Sequence, residues 1–376
     1  MKVIYLTTES YYREPIIKSQ VETLLLELIT MGVPVELVTF EYSKSKFTDE
    51  NGYKHYQFKH INHFSNMLML IYYTFKISKK GDILHVRSYP PMLAAITVKL
   101  LFGNKVIFDP RGLWPEEMSY FKKKYIVTFT FKKLEIIFCY LADSIVLVSN
   151  NFLSLFQKRY PKQSRKMIVV PTFSIPLIIS SNVRKIKRDI FSNENVEIFV
   201  YSGSFEKWQK ISEIVSYFCF LEENYPNSRF LFLSKSKKMF DDYLKNKLKP
   251  ENYTVISATY SDLGSILVQC DYGVIFRDKH IINQVSAPIK VKDYLTANLS
   301  VIATDNIGDS SELIKNNNLG FILEDFSLSS KVKSLSYIQS NCGKRKETSK
   351  TRCDLLEEFS ISNVSNKYQK IYNTLK

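Results

Sequence analysis

Apolar positions along the chain fall into short β-branched runs separated by longer stretches with a three-to-four-residue spacing. Residues 2–7 (KVIYLT) read as a first buried strand. Over residues 16–30 the apolar Val21, Leu24, Leu25 and Leu28 share one helical face, and Gly32 stops the pattern. Strands are then predicted at 35–40, 83–87, 105–109, 144–148 and 168–170, with helices at 66–78, 92–101 and 131–142. A charged, irregular stretch, 174–192, with Pro176 near its start, reads as a linker. The pattern restarts with a strand at 197–201 ending in Ser202 and Gly203, and a helix over 211–223. Further strands follow at 229–234, 253–256, 272–276 and 301–304. The last segment, 360–375, reads as a polar helix carrying Tyr368 and Tyr372 four residues apart.

Strands alternating with helices imply α/β domains with doubly wound parallel sheets. Two similar Rossmann-like halves are expected, 1–175 and 193–345. A helical segment, 346–376, is expected to pack back on the first. Ligands in open parallel sheets bind beyond the carboxyl ends of the strands. Two such sheets facing one another would hold two substrates in a cleft.

Composition narrows this picture. A chain of 376 residues with 45% apolar residues suits two domains. Glycine is scarce, with 11 copies, and neither G-x-G-x-x-G nor a P-loop is present. The formal charge is +15, of which +10 lies in residues 1–175. A basic surface attracts nucleic acid, anionic lipid or phosphorylated substrates. No zinc-finger spacing, RNP signature or basic region with heptads is found, so nucleic acid is not expected as a partner. The five scattered cysteines form no C-x-x-C pair and fit reduced thiols in the cytosol. The N-terminal residues lack a signal-peptide pattern. No apolar run reaches the ~18 residues of a spanning helix. Segment 121–140 (FKKKYIVTFTFKKLEIIFCY) mixes lysines with aromatic and aliphatic residues. It fits an amphipathic surface resting on anionic lipid, and equally a core helix with solvated lysines. A cytoplasmic protein is expected, peripheral on the inner face of the plasma membrane.

Two stretches carry candidate chemistry. In SAPIKVKDYLTANLSVIAT (286–304), Pro288 suits a helix start, Lys290 follows, and Asp293 falls in the first turns. A cation, an acid and free helix-start amides suit a ligand bearing phosphate and hydroxyls, such as a nucleotide-sugar. The competing reading is a capped helix before a buried strand. In FDPRGLWPEE, Asp109 ends a strand and Arg111 lies in the following turn, with Glu116 and Glu117 nearby. Arg111 can grip a phosphate bidentately or form an ion pair with Asp109 or Glu116. Arg87 and Ser88 end another strand. His55, His60 and His63 are read as surface, His85 as packed in a strand, and His280 as a loop residue within reach of a ligand. No metal-ligand spacing is found.

In their order, these motifs resemble the GT-B glycosyltransferases, in particular glycosyltransferase family 4. The resemblance rests on LITMGVPVELVT, DILHVRSYPP, FDPRGLWPEE, ADSIVLVSN, VVPTF, YSGSFEKWQK, CDYGVIF and SAPIKVKDYLTANLSVIAT, and covers most of the chain. It implies retaining sugar transfer without a bound metal or other cofactor. The donor nucleotide-sugar would sit on the second domain. The acceptor, a glycan or lipid-linked glycan of surface polysaccharide synthesis, would sit on the first.

Residue by residue, the resemblance puts Gly203 and Ser204 beside the donor diphosphate, with Lys207 and Lys210 as the available cations and Lys210 favoured. Ser204 stands where the family often has arginine. Asp293 matches the second of two family glutamates, and the first falls at Val285. Pro288, Lys290 and Tyr294 look like a Pro-x-Lys version of this loop. Ser286, Arg277 and Glu312 complete the expected donor site. Asp109, Arg111 and Lys290 are the expected catalytic residues. Val285 and Ser204 leave open a catalytically weak donor-binding scaffold. A nucleotide-sugar epimerase of the same fold is a further alternative.

Overall fold

The computed structural model describes residues 1–8, 15–41, 46–50, 52–59, 61–174, 190–192, 195–342 and 350–376. Most of the expected linker, and His60, lie outside the described residues. The chain divides into two compact units, Met1–Ile175 with Ile361–Lys376, and Pro176–Ser360.

The first unit is built on eight strands and seven long helices among the described residues. In chain order these are β1 (Val3–Leu6), α1 (Pro15–Thr30), β2 (Val35–Glu41), β3 (Lys46–Glu50), β4 (Tyr53–Lys59), α2 (His63–Ile77), β5 (Ile83–Arg87) and α3 (Met92–Phe102). Then come β6 (Lys105–Asp109), α4 (Trp114–Lys122), α5 (Tyr125–Leu141), β7 (Ser144–Leu147), α6 (Asn150–Arg159) and β8 (Met167–Val169). The sheet order is β3-β4-β2-β1-β5-β6-β7-β8, parallel except for the β3/β4 pair. Central strands such as β1 and β5 are buried along their whole length, as both faces of a doubly wound sheet require.

The β3/β4 hairpin departs from the sequence reading. Its strands are polar, KFTDE and YKHYQFK, and Gly52, just before β4, takes φ +81°. Consequently His55 is not a surface residue. It is buried in β4 and hydrogen-bonded to Thr39 Oγ1 at 2.9 Å and Gln57 Nε2 at 3.0 Å.

The second unit runs β9 (Glu197–Ser202), α7 (Ile211–Asn224), β10 (Ser228–Leu233), α8 (Lys237–Leu244), β11 (Tyr253–Ile256), α9 (Tyr260–Leu267) and β12 (Tyr272–Ile275). It continues with α10 (Ile281–Gln284), α11 (Ile289–Thr296), β13 (Ser300–Thr304), α12 (Ser310–Asn316), β14 (Gly320–Leu323), α13 (Leu328–Asn341) and α14 (Lys350–Glu358). Its six-stranded sheet is parallel throughout, in the order β11-β10-β9-β12-β13-β14.

The segment expected as one C-terminal piece divides. Helix α14 clusters with the second unit, where the buried Arg352 donates to the carbonyls of Leu295 and Leu299 at the end of α11. The Leu295 carbonyl, in the last turn of α11, also accepts the Asn298 N–H at 3.1 Å. The last helix, α15 (Ile361–Thr374), joins the first unit. Val364, Tyr368, Ile371 and Tyr372 form its apolar stripe and enter the core formed by β1 and α1.

Candidate functional site

In the second unit, a cluster forms beyond the carboxyl ends of β9 and β12. Gly203 and Ser204 follow β9, Arg277 follows β12 and Lys290 lies in the first turn of α11. Arg277 Nη1 donates to Gln209 Oε1 at 2.5 Å and to the Trp208 carbonyl at 3.1 Å. Lys290 Nζ donates to the same Gln209 oxygen at 2.9 Å and stands 4.7 Å from the centre of the Tyr201 ring. Burial, then the neighbouring Arg277 charge, push the Lys290 ammonium well below the usual lysine range, against a pull from Asp293. Burial likewise lowers Arg277.

The backbone keeps this cluster open and fixed. A Cβ on Gly203 would lie 2.8 Å from Lys290 Nζ and 2.7 Å from the Tyr201 hydroxyl oxygen. Any side chain there would crowd the ammonium. Tyr294 is fully buried, lies flat on Gly273 and accepts the Ser202 N–H at 2.9 Å, tying α11 to the end of β9. Gly308, at φ +50°, has no room for a Cβ, which would sit 1.8 Å from the Ser286 carbonyl oxygen. Its N–H and the Ser286 hydroxyl both donate to the Asn283 carbonyl, at 2.9 and 2.8 Å. Pro288 is the N-cap of α11.

Asp293 lies one turn after Lys290 and is buried, with Oδ1 lacking any hydrogen-bond partner. Burial raises its carboxyl to about 7, against the charges of Lys292 and Lys290. A buried, unsatisfied carboxylate is costly unless a ligand completes it.

The other expected donor residues lie apart. Lys210 pairs with Glu213 at 2.7 Å instead of joining Lys290. The Lys207 side chain is outside the described residues. Ser204 is exposed, and its carbonyl accepts from the Tyr201 hydroxyl at 2.9 Å. Glu312 is exposed in the first turn of α12 and makes no hydrogen bond or ion pair with the cluster. Val285 is buried at the end of α10. His280 instead caps α10, accepting from the Ile282 N–H at 3.4 Å. Gln209 escaped the sequence reading, although it is the residue on which both cations converge. Its only signal was position, in the polar loop after Gly203.

In the first unit, Asp109 ends β6 fully buried. Arg111 Nη1 lies 3.4 Å from its Oδ2, and the Tyr368 hydroxyl donates to that oxygen at 3.3 Å. His85 Nε2 stands 3.5 Å from Asp109, while Nδ1 is hydrogen-bonded to the Tyr372 hydroxyl at 2.7 Å. Burial would raise the Asp109 carboxyl, but the Arg111 charge, the His85 hydrogen bond and the Arg87 charge outweigh it and hold it low. Burial lowers His85, favouring the neutral ring. Asp109 Oδ1 has no hydrogen-bond partner.

A small cavity in this unit is lined in part by Tyr5, Gln20, Arg87, Arg111, Phe173 and Tyr368. Ser88 and Arg111, at the ends of adjacent strands, take φ +73° and +61°. Such conformations cost of order 1–3 kcal/mol for ordinary residues and cluster at functional sites. Glu116 pairs with Arg159 at 2.8 Å and Lys132 at 3.4 Å, which leaves Asp109 as the Arg111 partner. Glu117 lies against Gly112, 2.8 Å from where a Cβ would be.

Comparison with known proteins agrees with this geometry. Residues 17–173 match the model of Glycosyltransferase Family 4. Sucrose-phosphate synthase from Thermosynechococcus elongatus superposes with TM-score 0.76 at 11% identity, covering 100% of this chain and 99% of that one. The E. coli trehalose-6-phosphate structure bound with UDP-2-fluoro glucose gives TM-score 0.72 at 10% identity, covering 99% of each chain. A glycosyltransferase from Rickettsia africae gives 0.72 at 15% identity, covering 100% of this chain and 98% of that one. No curated protein matches the sequence. The chain has the GT-B fold, two Rossmann-like α/β units. Residues 17–173, within its first unit, match the family 4 glycosyltransferase domain.

Proposed function

We propose that this protein moves a sugar from a nucleotide-sugar donor, with retention at the anomeric carbon, to a glycan or lipid-linked glycan acceptor in bacterial surface polysaccharide synthesis. The observation that carries the donor reading is the convergence of Lys290 and Arg277 on a single neutral oxygen. Two cations held together without an anion form a site for a diphosphate. The E. coli neighbour bound with UDP-2-fluoro glucose supports the same reading.

In this mechanism Lys290 and Arg277 neutralise the diphosphate as the sugar–phosphate bond breaks. Asp293 accepts hydrogen bonds from the ribose hydroxyls through its free Oδ1. The acceptor hydroxyl attacks from the side the diphosphate leaves, with Asp109 and Arg111 holding the acceptor on the first unit. The two cations supply the positive charge, so the proposed reaction needs no bound metal. Thermal denaturation with UDP, GDP, ADP, CMP and their sugars tests this. One nucleotide is expected to raise the melting temperature, since it binds only folded protein. No shift with any of them would favour a non-catalytic role. The buried Val285, where the family has an acid, supports a weakly catalytic donor-binding scaffold as a second reading.

We further propose that the enzyme acts in the cytoplasm, docked on the inner face of the plasma membrane. No helix among the described residues is long and apolar enough to cross a membrane. Helix α5 nevertheless exposes Tyr125, Ile126, Phe129, Ile136, Ile137 and Tyr140. The exposed Lys123, Lys124, Lys132 and Lys133 accompany them. Aromatic side chains between lysines suit the headgroup layer of an anionic bilayer. The protein is expected to sediment with anionic vesicles at low salt and much less with neutral ones. Equal sedimentation would remove the electrostatic part of this proposal.

A further inference from the structure

Gln209 offers the only side-chain oxygen shared by Arg277 and Lys290 among the described residues. Both cations are drawn to it although it carries no net charge. Gln209 and Arg277 are buried, so little water screens the repulsion between the two positive groups. The residue closes a single 3-10 turn, Lys207–Gln209, after the Gly203 loop. The next residue, Lys210, takes φ +54°, a conformation uncommon for a non-glycine side chain.

A diphosphate presents several oxygens that would fill this position better, each with negative charge. We propose that Gln209 is a positioning residue whose amide oxygen stands in for a phosphate oxygen of the donor. It holds Arg277 and Lys290 together while the site is empty, and the donor displaces it. The inference rests on the nucleotide-sugar reading above and adds a residue to that site. Displacement transfers the Arg277 and Lys290 contacts from the Gln209 oxygen to phosphate oxygens, so Gln209 competes with the ligand. Gly203 leaves the approach to Lys290 clear, since a side chain there would stand against the ammonium.

The two substitutions Gln209→Glu and Gln209→Ala separate this from a structural role. Glutamate puts a fixed anion where the phosphate must go. Alanine removes the stand-in, leaving Lys290 without this acceptor and Arg277 with the Trp208 carbonyl alone. Calorimetric titration with inorganic pyrophosphate is therefore expected to show opposite effects. Gln209→Glu should bind at least tenfold more weakly than wild type, with a higher melting temperature for the empty protein. Gln209→Ala should bind threefold or more tighter, with a lower one. A role in packing alone would weaken binding and lower the melting temperature in both. Binding by Gln209→Glu equal to wild type overturns the proposal, and so does weaker binding by Gln209→Ala. Should the alanine variant fail to fold, the nearly isosteric glutamate variant decides. Wild-type binding that is lost in Lys290→Ala but unchanged in Gln209→Glu sinks the inference and spares the donor reading. Absence of wild-type binding to both pyrophosphate and every nucleoside diphosphate overturns both.

Discussion

Replacement of Lys290 by alanine is expected to lower kcat by about 10²–10³, the loss typical when one preorganised group facing a developing charge is removed. Lys290 is placed for this role from three sides. Its ammonium donates to Gln209, faces the Tyr201 ring and lies beside the hollow kept by Gly203. Burial and Arg277 have already lowered its proton affinity. An anion arriving between the two cations opposes that shift, so donor binding is expected to be coupled to proton uptake by Lys290. Donor affinity should accordingly fall on the alkaline side in wild type. That alkaline limb should flatten in Lys290→Ala. Lys290→Arg keeps the charge but changes its shape, and is expected to recover binding better than turnover. Initial-rate and binding profiles from pH 6 to 10 for the three proteins check this. An unchanged kcat in Lys290→Ala would remove the proposed electrostatic role.

The elements around this residue show which physical signals are local. Buried parallel strands announce themselves by continuous apolar runs, so β1, β5, β6 and β9 could be read from the chain. The Pro288–Asp293 stretch stands out because a proline, a lysine and an acid gather at one helix start, a pattern an ordinary capped helix also produces. Asp109 and Arg111 were legible because charge at the end of an apolar strand is uncommon. Partner choice was not legible. His85 meets Tyr372 across 287 positions, and Asp109 meets Tyr368 across 259. Nothing near either residue marks these pairings, which follow from where α15 packs.

Gln209 was hidden for a related reason. It lies between Lys207 and Lys210, and charge drew the reading to the lysines. The fold turns Lys210 toward Glu213 and brings the neutral amide to Arg277 and Lys290. The β3/β4 hairpin breaks the apolar pattern because β4 buries the polar His55 and Gln57, which hydrogen-bond each other and Thr39 in place of apolar contacts.

A second large effect is expected at Asp293, where binding and stability should move in opposite directions. Its carboxyl titrates near 3.8 in the unfolded chain and at about 7 in the fold, because burial disfavours the charged form. The folded state therefore holds the proton more tightly. The resulting stabilisation is fully present below pH 3.8, erodes as pH rises and is lost above about 7. A shift of this size corresponds to about 4 kcal/mol between those limits. Asp293→Asn carries no charge to desolvate. Its second unit is expected to melt several degrees higher than wild type at pH 8, with the difference shrinking toward pH 4.

The same substitution replaces a charged acceptor with a neutral one, and charge-assisted hydrogen bonds are roughly twice as strong. Donor affinity at pH 8 should therefore fall about tenfold, a loss of about 1.4 kcal/mol. Calorimetry for both proteins at pH 4, 6 and 8, with and without the nucleotide, measures the two effects together. Equal melting at every pH would mean that the carboxylate is already satisfied in the empty protein. Asp293 would then have no unmet acceptor to offer a ribose hydroxyl, and the reason for placing it in the donor site would be gone.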